Sequence, residues 1–254
     1  MSIKTAERNS GILPEDNVIH HRHLIAYNQA KKLVKGNVLE IGSGEGYGIK
    51  ILAPLSDTYF AVDKHETPHD EGSANLNFLQ MSVPPLAGIE DNSFDVVVTF
   101  QVIEHIKDDQ FFLQEIHRVL KQNGILILTT PNINMSITRN PWHVREYKLT
   151  QIAKLLSSVF STFDINGVFG NEKVMSYYEE NRRSVKKFTR FDIFRLQYIL
   201  PRRLLQIPYD IANRMNRNEL MKKNTTLVEK VLTSDFFIEL ANERCFDFFV
   251  VARK

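Results

Sequence analysis

VLEIGSGEGYG, residues 38–48, decides how this chain is read. Glycines fall at every second position, Gly42, Gly44, Gly46 and Gly48, directly after an apolar run, and Glu40 stands two residues before the first. Glycine weakens strands and helices, so a cluster of four needs a reason. A strand that turns through glycines into a helix supplies one: the backbone approaches a ligand closely, and the helix start offers it N–H groups. TYFAVDKH (58–65) reads as the next strand, ending at Asp63. A carboxylate there can accept hydrogen bonds from two ribose hydroxyls. An acid about 20 positions after the loop also marks nicotinamide dinucleotide sites, so the glycines and Asp63 specify a nucleoside ligand without choosing which.

Working outward, strand and helix alternate. Residues 19–36 read as a helix, with Leu24, Tyr27, Ala30 and Val34 at helical spacing and Gly36 as its stop. NVLEIG (37–42) is a buried strand and YGIKILAPL the helix after the loop. NLNFLQM (75–81), SFDVVVTFQV (93–102) and ILILTTPN (125–132) read as further strands, and 108–124 as a helix ended by Gly124. TQIAKLLSSVF (150–160) reads as a helix with Thr150 at its N-cap. FDINGVFG (163–170) and CFDFFVVAR (245–253) are strand-like. The alternation predicts an α/β fold with a doubly wound parallel sheet. The chain divides into an arm (1–18), a core (19–170), a basic helical insert (171–243) and a final core strand (244–254).

Composition narrows the classes. The chain has 254 residues, 43% hydrophobic and 24% charged, with a net charge of +2, which is ordinary for a globular chain. A core of that size needs no disulfide or metal staple. The single cysteine, Cys245, excludes an internal disulfide and a thiolate-rich zinc site, and predicts a reducing, cytoplasmic setting. No apolar run approaches the ~18 residues of a membrane span, and the polar N-terminus has no signal-peptide core.

VLEIGSGEGYG resembles motif I of the class I S-adenosylmethionine-dependent methyltransferases, acid-x-G-x-G-x-G. A dinucleotide fingerprint reads G-x-G-x-x-G, with no required acid before it. AVDKHE is similar to the family's second motif, LAGIEDNSFDVVVTFQVIEHIKD to its P-x-x-x-x-S-F-D…EH segment, and FLQEIHRVLKQNGILILTTPN to its helix–glycine–strand segment. The resemblance covers about residues 20–170 and the last strand. It implies a Rossmann-like sheet of seven strands, the last antiparallel, and S-adenosyl-L-methionine as cofactor. Glu40, Gly42, Ser43, Gly44 and Gly46 would line its methionine part. Asp63 would hold the ribose and Lys64 would flank the adenine. The family's usual adenine-binding Asp is replaced by Met81 and Ser82. Phe100 and Gln101 would present backbone carbonyls. A nicotinamide-dependent oxidoreductase and a non-catalytic cofactor-binding scaffold stand as alternatives.

The resemblance leaves the acceptor open: an O or N nucleophile of a small molecule, or a glycan or lipid-linked acceptor. In its EH pair, His105 either faces the methyl group or, with Glu104, orders a loop. NPWHVREYKLT (140–150) resembles a P-x-H-x-R-E-Y segment of a subgroup containing many bacterial enzymes of glycans and secondary metabolites. His143 would be a general base there, with Trp142, Arg145 and Tyr147 on the substrate side; Arg145 grips an anionic acceptor or pairs with Glu146. Alternatively, the stretch is a structural loop held by an Arg–Glu pair. HHRH (20–23) lacks a completing carboxylate-and-histidine set, and methyl transfer needs no metal, so no metal site is expected; the helix covers the cofactor with His23 or Tyr27. Residues 182–223 carry twelve Lys/Arg against three acids, with Phe191, Phe194 and Tyr198 interleaved. That pattern suits a lid with a solvated basic face or peripheral contact with an anionic membrane. Nothing in it resembles a nucleic-acid-binding module.

Overall fold

The computed structural model describes residues 13–67, 75–190, 199–223 and 225–254. Most of the expected arm, and Phe191, Phe194 and Tyr198, lie outside the described residues. Eight strands form one sheet in the order β3-β2-β1-β4-β5-β8-β6-β7. β1 (Asn37–Ile41), β2 (Thr58–Asp63), β3 (Leu76–Gln80), β4 (Phe94–Phe100) and β5 (Leu120–Pro131) run parallel. β8 (Asp247–Arg253) is antiparallel to both β5 and β6 (Thr162–Gly170), and β7 (Phe236–Leu240) is antiparallel to β6.

Two apolar layers flank this sheet. α1 (Asn17–Ala30), α2 (Tyr47–Leu52), α5 (Glu172–Thr189), α6 (Arg202–Lys223) and α7 (Thr225–Glu229) serve one face, where Ala26, Ala30, Leu52, Val174, Leu220 and Val228 are buried. α3 (Asp109–Val119) and α4 (Leu149–Ser157) cover the other through Phe112, Leu113, Ile116, Ile152 and Leu156. Each of these Val, Leu, Ile and Phe side chains contributes roughly 1.5–3 kcal/mol by leaving water. In α3 the apolar residues recur at helical spacing, and the Asp108 carboxylate caps the start by accepting from the Phe111 N–H at 3.0 Å.

Four expectations need correction. α1 ends at Ala30, before Gly36. α3 stops at Val119, because Leu120 enters the sheet opposite Phe94. The pairing then slips before resuming at Val96 and Ile125, and Gly124 lies in that irregularity, where a Cβ would fall 2.9 Å from the Lys121 carbonyl oxygen. α4 is capped at Lys148, whose N–H donates to Gln151 Oε1, not at Thr150. The sheet has eight strands rather than seven, because the segment read as a helical insert contains β7. β7 is an edge strand of five residues, FFIEL, and an apolar run that short does not distinguish a strand from a helix in sequence.

Candidate active site

The order reverses between β1 and β4, where an open α/β sheet forms a crevice at its strand ends. The glycine loop leaves β1 there. Gly42 N–H and Ser43 N–H donate to the Val62 carbonyl, and Gly44 N–H donates to Asp63 Oδ2 at 2.9 Å. Gly42 has φ +83°, and a Cβ on it would lie 2.3 Å from Val102 Cγ2, so only glycine fits. Ser43 is buried, its hydroxyl 2.8 Å from that of Thr67. Gly46 caps α2 in the left-handed conformation. Asp63 Oδ1 also accepts from the His65 N–H. Its two oxygens offer about four acceptor sites in all, which leaves capacity for a ribose diol. Lys64 and Ser82 are exposed, Met81 is half-buried, and the Met81 N–H is tied to the Asp63 carbonyl. These groups therefore gather at the ends of β1, β2 and β3.

Glu40 sits behind the loop. It is 1% exposed, and its two oxygens accept from the Tyr27 and Tyr59 hydroxyls, each at 2.9 Å. A Cβ on Gly48 would collide with its carboxylate, so Gly48 admits Glu40 beneath α2. Burial raises the Glu40 pKa to about 7, against the lowering effect of the two phenols and with a further rise from Asp63. Tyr27, suggested for the cofactor, is thus committed to Glu40, whereas His23 lines a cavity.

Past β4 the chain builds the acceptor side. Phe100 packs edge-on against Tyr27. Gln101 leaves the sheet at φ +56°, its N–H bonded to the Thr129 carbonyl. Glu104 and His105 follow in a short 3-10 turn. Glu104 is fully buried, with Oε2 accepting from Thr130 Oγ1 at 3.1 Å. Its carbonyl accepts from the Val144 and Arg145 N–H groups, which docks the 140–147 loop onto the turn. The His105 and His143 rings meet edge-to-face with centroids 4.9 Å apart. His105 Nδ1 lies 3.1 Å from the Trp142 carbonyl, and His143 Nδ1 lies 2.7 Å from Glu146 Oε1.

A cavity of about 400 Å³ opens at Gln101, Glu104, His105 and His143. The three residues expected on the substrate side do not line it. Arg145 pairs with Asp109 rather than Glu146 and donates to the Lys107 carbonyl. The Tyr147 phenol donates to Asp109 at 2.9 Å; burial, then the Asp109 charge, push its pKa up. Trp142 Nε1 donates to Asp210 of α6. These contacts hold the loop, while His143 and Glu146 present its chemistry to the cavity. The remaining wall escaped sequence reading: Arg22, paired with Asp247, and the polar groups of Tyr178, Asn181, Tyr209, Asn213 and Asn216 on α5 and α6. Spacing held one usable signal: Tyr209, Ala212, Asn213 and Asn216 share one face of α6.

A crevice at the switch point, floored by backbone and edged by Asp63, defines the class: an α/β protein built around a nucleoside cofactor. Known proteins narrow it. A family described as a methyltransferase domain matches residues 39–128. A protein of Mycolicibacterium smegmatis named a probable S-adenosylmethionine-dependent methyltransferase is 36% identical over 174 residues, 65% of this chain and 68% of its own. A Mycobacterium tuberculosis protein of the same description is 37% identical over 160 residues, 60% of this chain and 58% of its own. The solved YcgJ protein of Bacillus subtilis shares the fold with a TM-score of 0.51 at 16% identity, covering 91% of this chain and 99% of that one. The chain belongs to the S-adenosylmethionine-dependent methyltransferases, with S-adenosylmethionine as its cofactor.

Proposed function

We propose that the enzyme methylates a hydroxyl oxygen of a polyhydroxylated acceptor, a glycan or lipid-linked sugar, bound in the cavity. The observation that carries this is the wall itself. Tyr178, Asn181, Tyr209, Asn213 and Asn216 line it, with the Asn216 amide donating to Asn181 Oδ1 at 2.7 Å and the Tyr178 hydroxyl to the Met135 carbonyl at 3.0 Å. Amides and phenols both donate and accept, as hydroxyls require. Ubiquinone biosynthesis O-methyltransferases among the relatives support an oxygen acceptor; that of Rickettsia typhi is 31% identical over 48% of this chain and 52% of its own.

Gly42, Ser43, Gly44 and Gly46 cradle the methionine part of the cofactor, with Glu40 bracing the loop from behind. Asp63 takes the ribose; Lys64, Met81 and Ser82 flank the adenine; Phe100 and Gln101 present carbonyls. Held by these residues, S-adenosylmethionine would supply a sulfonium-activated methyl group to the acceptor oxygen. The protein contributes alignment, worth up to about 7–11 kcal/mol in favourable cases. His105 and His143 line the acceptor side of the cavity and assist loss of the hydroxyl proton.

Thermal shift with S-adenosylmethionine, S-adenosylhomocysteine and NAD tests the cofactor half. Ligand at ~100 times its Kd adds about 2.7 kcal/mol. No shift with either adenosyl ligand at millimolar concentration defeats the reading. Methyl transfer to a panel of glycosides, polyols, phenols and amines, read by mass spectrometry, tests the rest. Methylation of amines alone would refute the oxygen assignment.

The outer face of α6 docks on an anionic membrane. Leu204, Ile207, Ile211 and Met215 form one stripe, each between 57% and 67% exposed. Arg202, Arg203, Arg214, Arg217, Lys222 and Lys223 on the same helix outnumber Asp210 and Glu219. An apolar stripe on a cationic helix suits an interfacial site. No helix among the described residues is long and apolar enough to cross a membrane. Flotation with phosphatidylglycerol vesicles should carry the protein, and the double variant Ile207→Ser/Ile211→Ser should release it. Equal flotation of the two proteins would contradict the docking face.

A further inference from the structure

We infer that Glu104, His105 and His143 form a binding site for a divalent transition-metal cation on the cavity wall. One ligand atom from each residue lies within 4.8 Å of those of the other two. A cation with bonds of about 2.0–2.2 Å to imidazole nitrogen and carboxylate oxygen holds its ligand atoms roughly 3 Å apart. The side chains therefore need to close inward by an ångström or so.

Hydrogen bonding has already chosen the ligand atoms. A carbonyl only accepts, so His105 Nδ1, 3.1 Å from the Trp142 oxygen, carries the proton and Nε2 keeps its lone pair. Glu146 Oε1 likewise accepts from His143 Nδ1 at 2.7 Å. An imidazole fixed at one nitrogen by a carbonyl or carboxylate, with the other left to ligate, is the usual support of a metal-bound histidine. His143 Nε2 now accepts from Asn140 Nδ2 at 2.9 Å, one neutral bond that the cation replaces. Thr130 Oγ1 orients the third ligand by donating to Glu104 Oε2.

Two imidazoles and one carboxylate suit zinc, iron, cobalt or manganese better than magnesium or calcium, and leave positions open. An acceptor hydroxyl filling one would lose its proton to water with no change of oxidation state, as zinc lowers the pKa of bound water to about 7. That role rests on the methyl-transfer reading; the site itself does not.

The test uses the full, tag-free chain after dialysis against EDTA, titrated with Zn²⁺ by calorimetry and with Co²⁺ by visible absorption. One equivalent of each should bind. His105→Asn and His143→Asn should each abolish the tight site. Glu146→Gln should weaken it ~10–100-fold, as loss of an outer-sphere partner does. His20→Asn/His21→Asn should bind as the parent does. Circular dichroism and the S-adenosylhomocysteine thermal shift check folding of every variant. Stoichiometric binding that survives His105→Asn/His143→Asn, or no binding by the parent, overturns the site. A parent that binds S-adenosylhomocysteine but no metal refutes the cation alone. One that binds metal but neither adenosyl ligand refutes only the methyl-transfer reading.

Discussion

The two halves of the active site are built by different means. The cofactor crevice is backbone: three glycines at positive φ, amide groups at strand ends, and one carboxylate, drawn largely from residues 40–65. The acceptor cavity is side chain. Arg22 and His23 come from α1, His105 from the turn after β4, Asn132 from beyond β5, His143 and Glu146 from the next loop, and the asparagines and tyrosines from α5 and α6. A backbone cradle tolerates little change, because any Cβ at Gly42 meets Val102. A side-chain cavity can exchange its lining without disturbing the sheet. A shared donor site and a variable acceptor site follow from that difference.

The contrast breaks if the halves cannot be separated. His105→Ala and His143→Ala should each lower turnover ~10²–10⁴-fold, the range for losing a group that handles the acceptor proton. S-adenosylhomocysteine affinity, measured calorimetrically, should be unchanged. A parallel loss of affinity would mean that the histidines belong to the cofactor side.

Glu40 sharpens the contrast from beneath the loop. Its folded pKa of about 7 lies above the ordinary 4.5. Between those values the folded state holds a proton that the unfolded state has released, so stability falls as pH rises from about 4.5 to about 7. Above that window the penalty is complete, about 3 kcal/mol for a shift of this size. Glu40→Gln cannot ionise, so urea unfolding across pH should show its stability rising relative to the parent through the same window. Parallel pH profiles would refute the buried, proton-holding Glu40.

The same contrast explains what could be read in the sequence. Glycine spacing, Glu40 and Asp63 lie within one short segment, and local backbone demands select residue types directly. The parallel strands were legible for a related reason: burial on both faces makes them continuous apolar runs, as in the VVV of β4. β7 was not, because its five residues are too few for the FFI run to tell a strand from a helical turn. Arg145 was misassigned because its partner Asp109 is distant in sequence while Glu146 is adjacent. The cluster of Glu104, His105 and His143 was out of reach for the same reason: two loops nearly 40 residues apart in sequence meet through the Glu104 carbonyl and the His105–Trp142 contact. His143 and His105 could each be singled out, but their shared geometry could not.

Asp63→Ala tests the cofactor half in isolation. Hydrogen bonds to a charged group are worth about 1.5–3 kcal/mol, so affinity for S-adenosylhomocysteine should fall roughly 10–100-fold, while Zn²⁺ binding at the other half stays as in the parent. Unchanged cofactor affinity would refute the ribose assignment.

The smallest expected effect belongs to Arg145. Its guanidinium pairs with Asp109 near the surface, with the arginine side chain 37% exposed. Exposed ion pairs contribute about 0–1 kcal/mol, and in a domain of this size 1 kcal/mol moves Tm by roughly 2–4 °C. Arg145→Ala should therefore lower Tm by no more than that and leave KM for the acceptor unchanged, since the side chain holds the loop from outside the cavity. A rise in acceptor KM at constant Tm would return Arg145 to the substrate. The cavity would then have to extend beyond the His143 loop to its outer face, and the division between a loop's supports and its chemistry would fail at this residue.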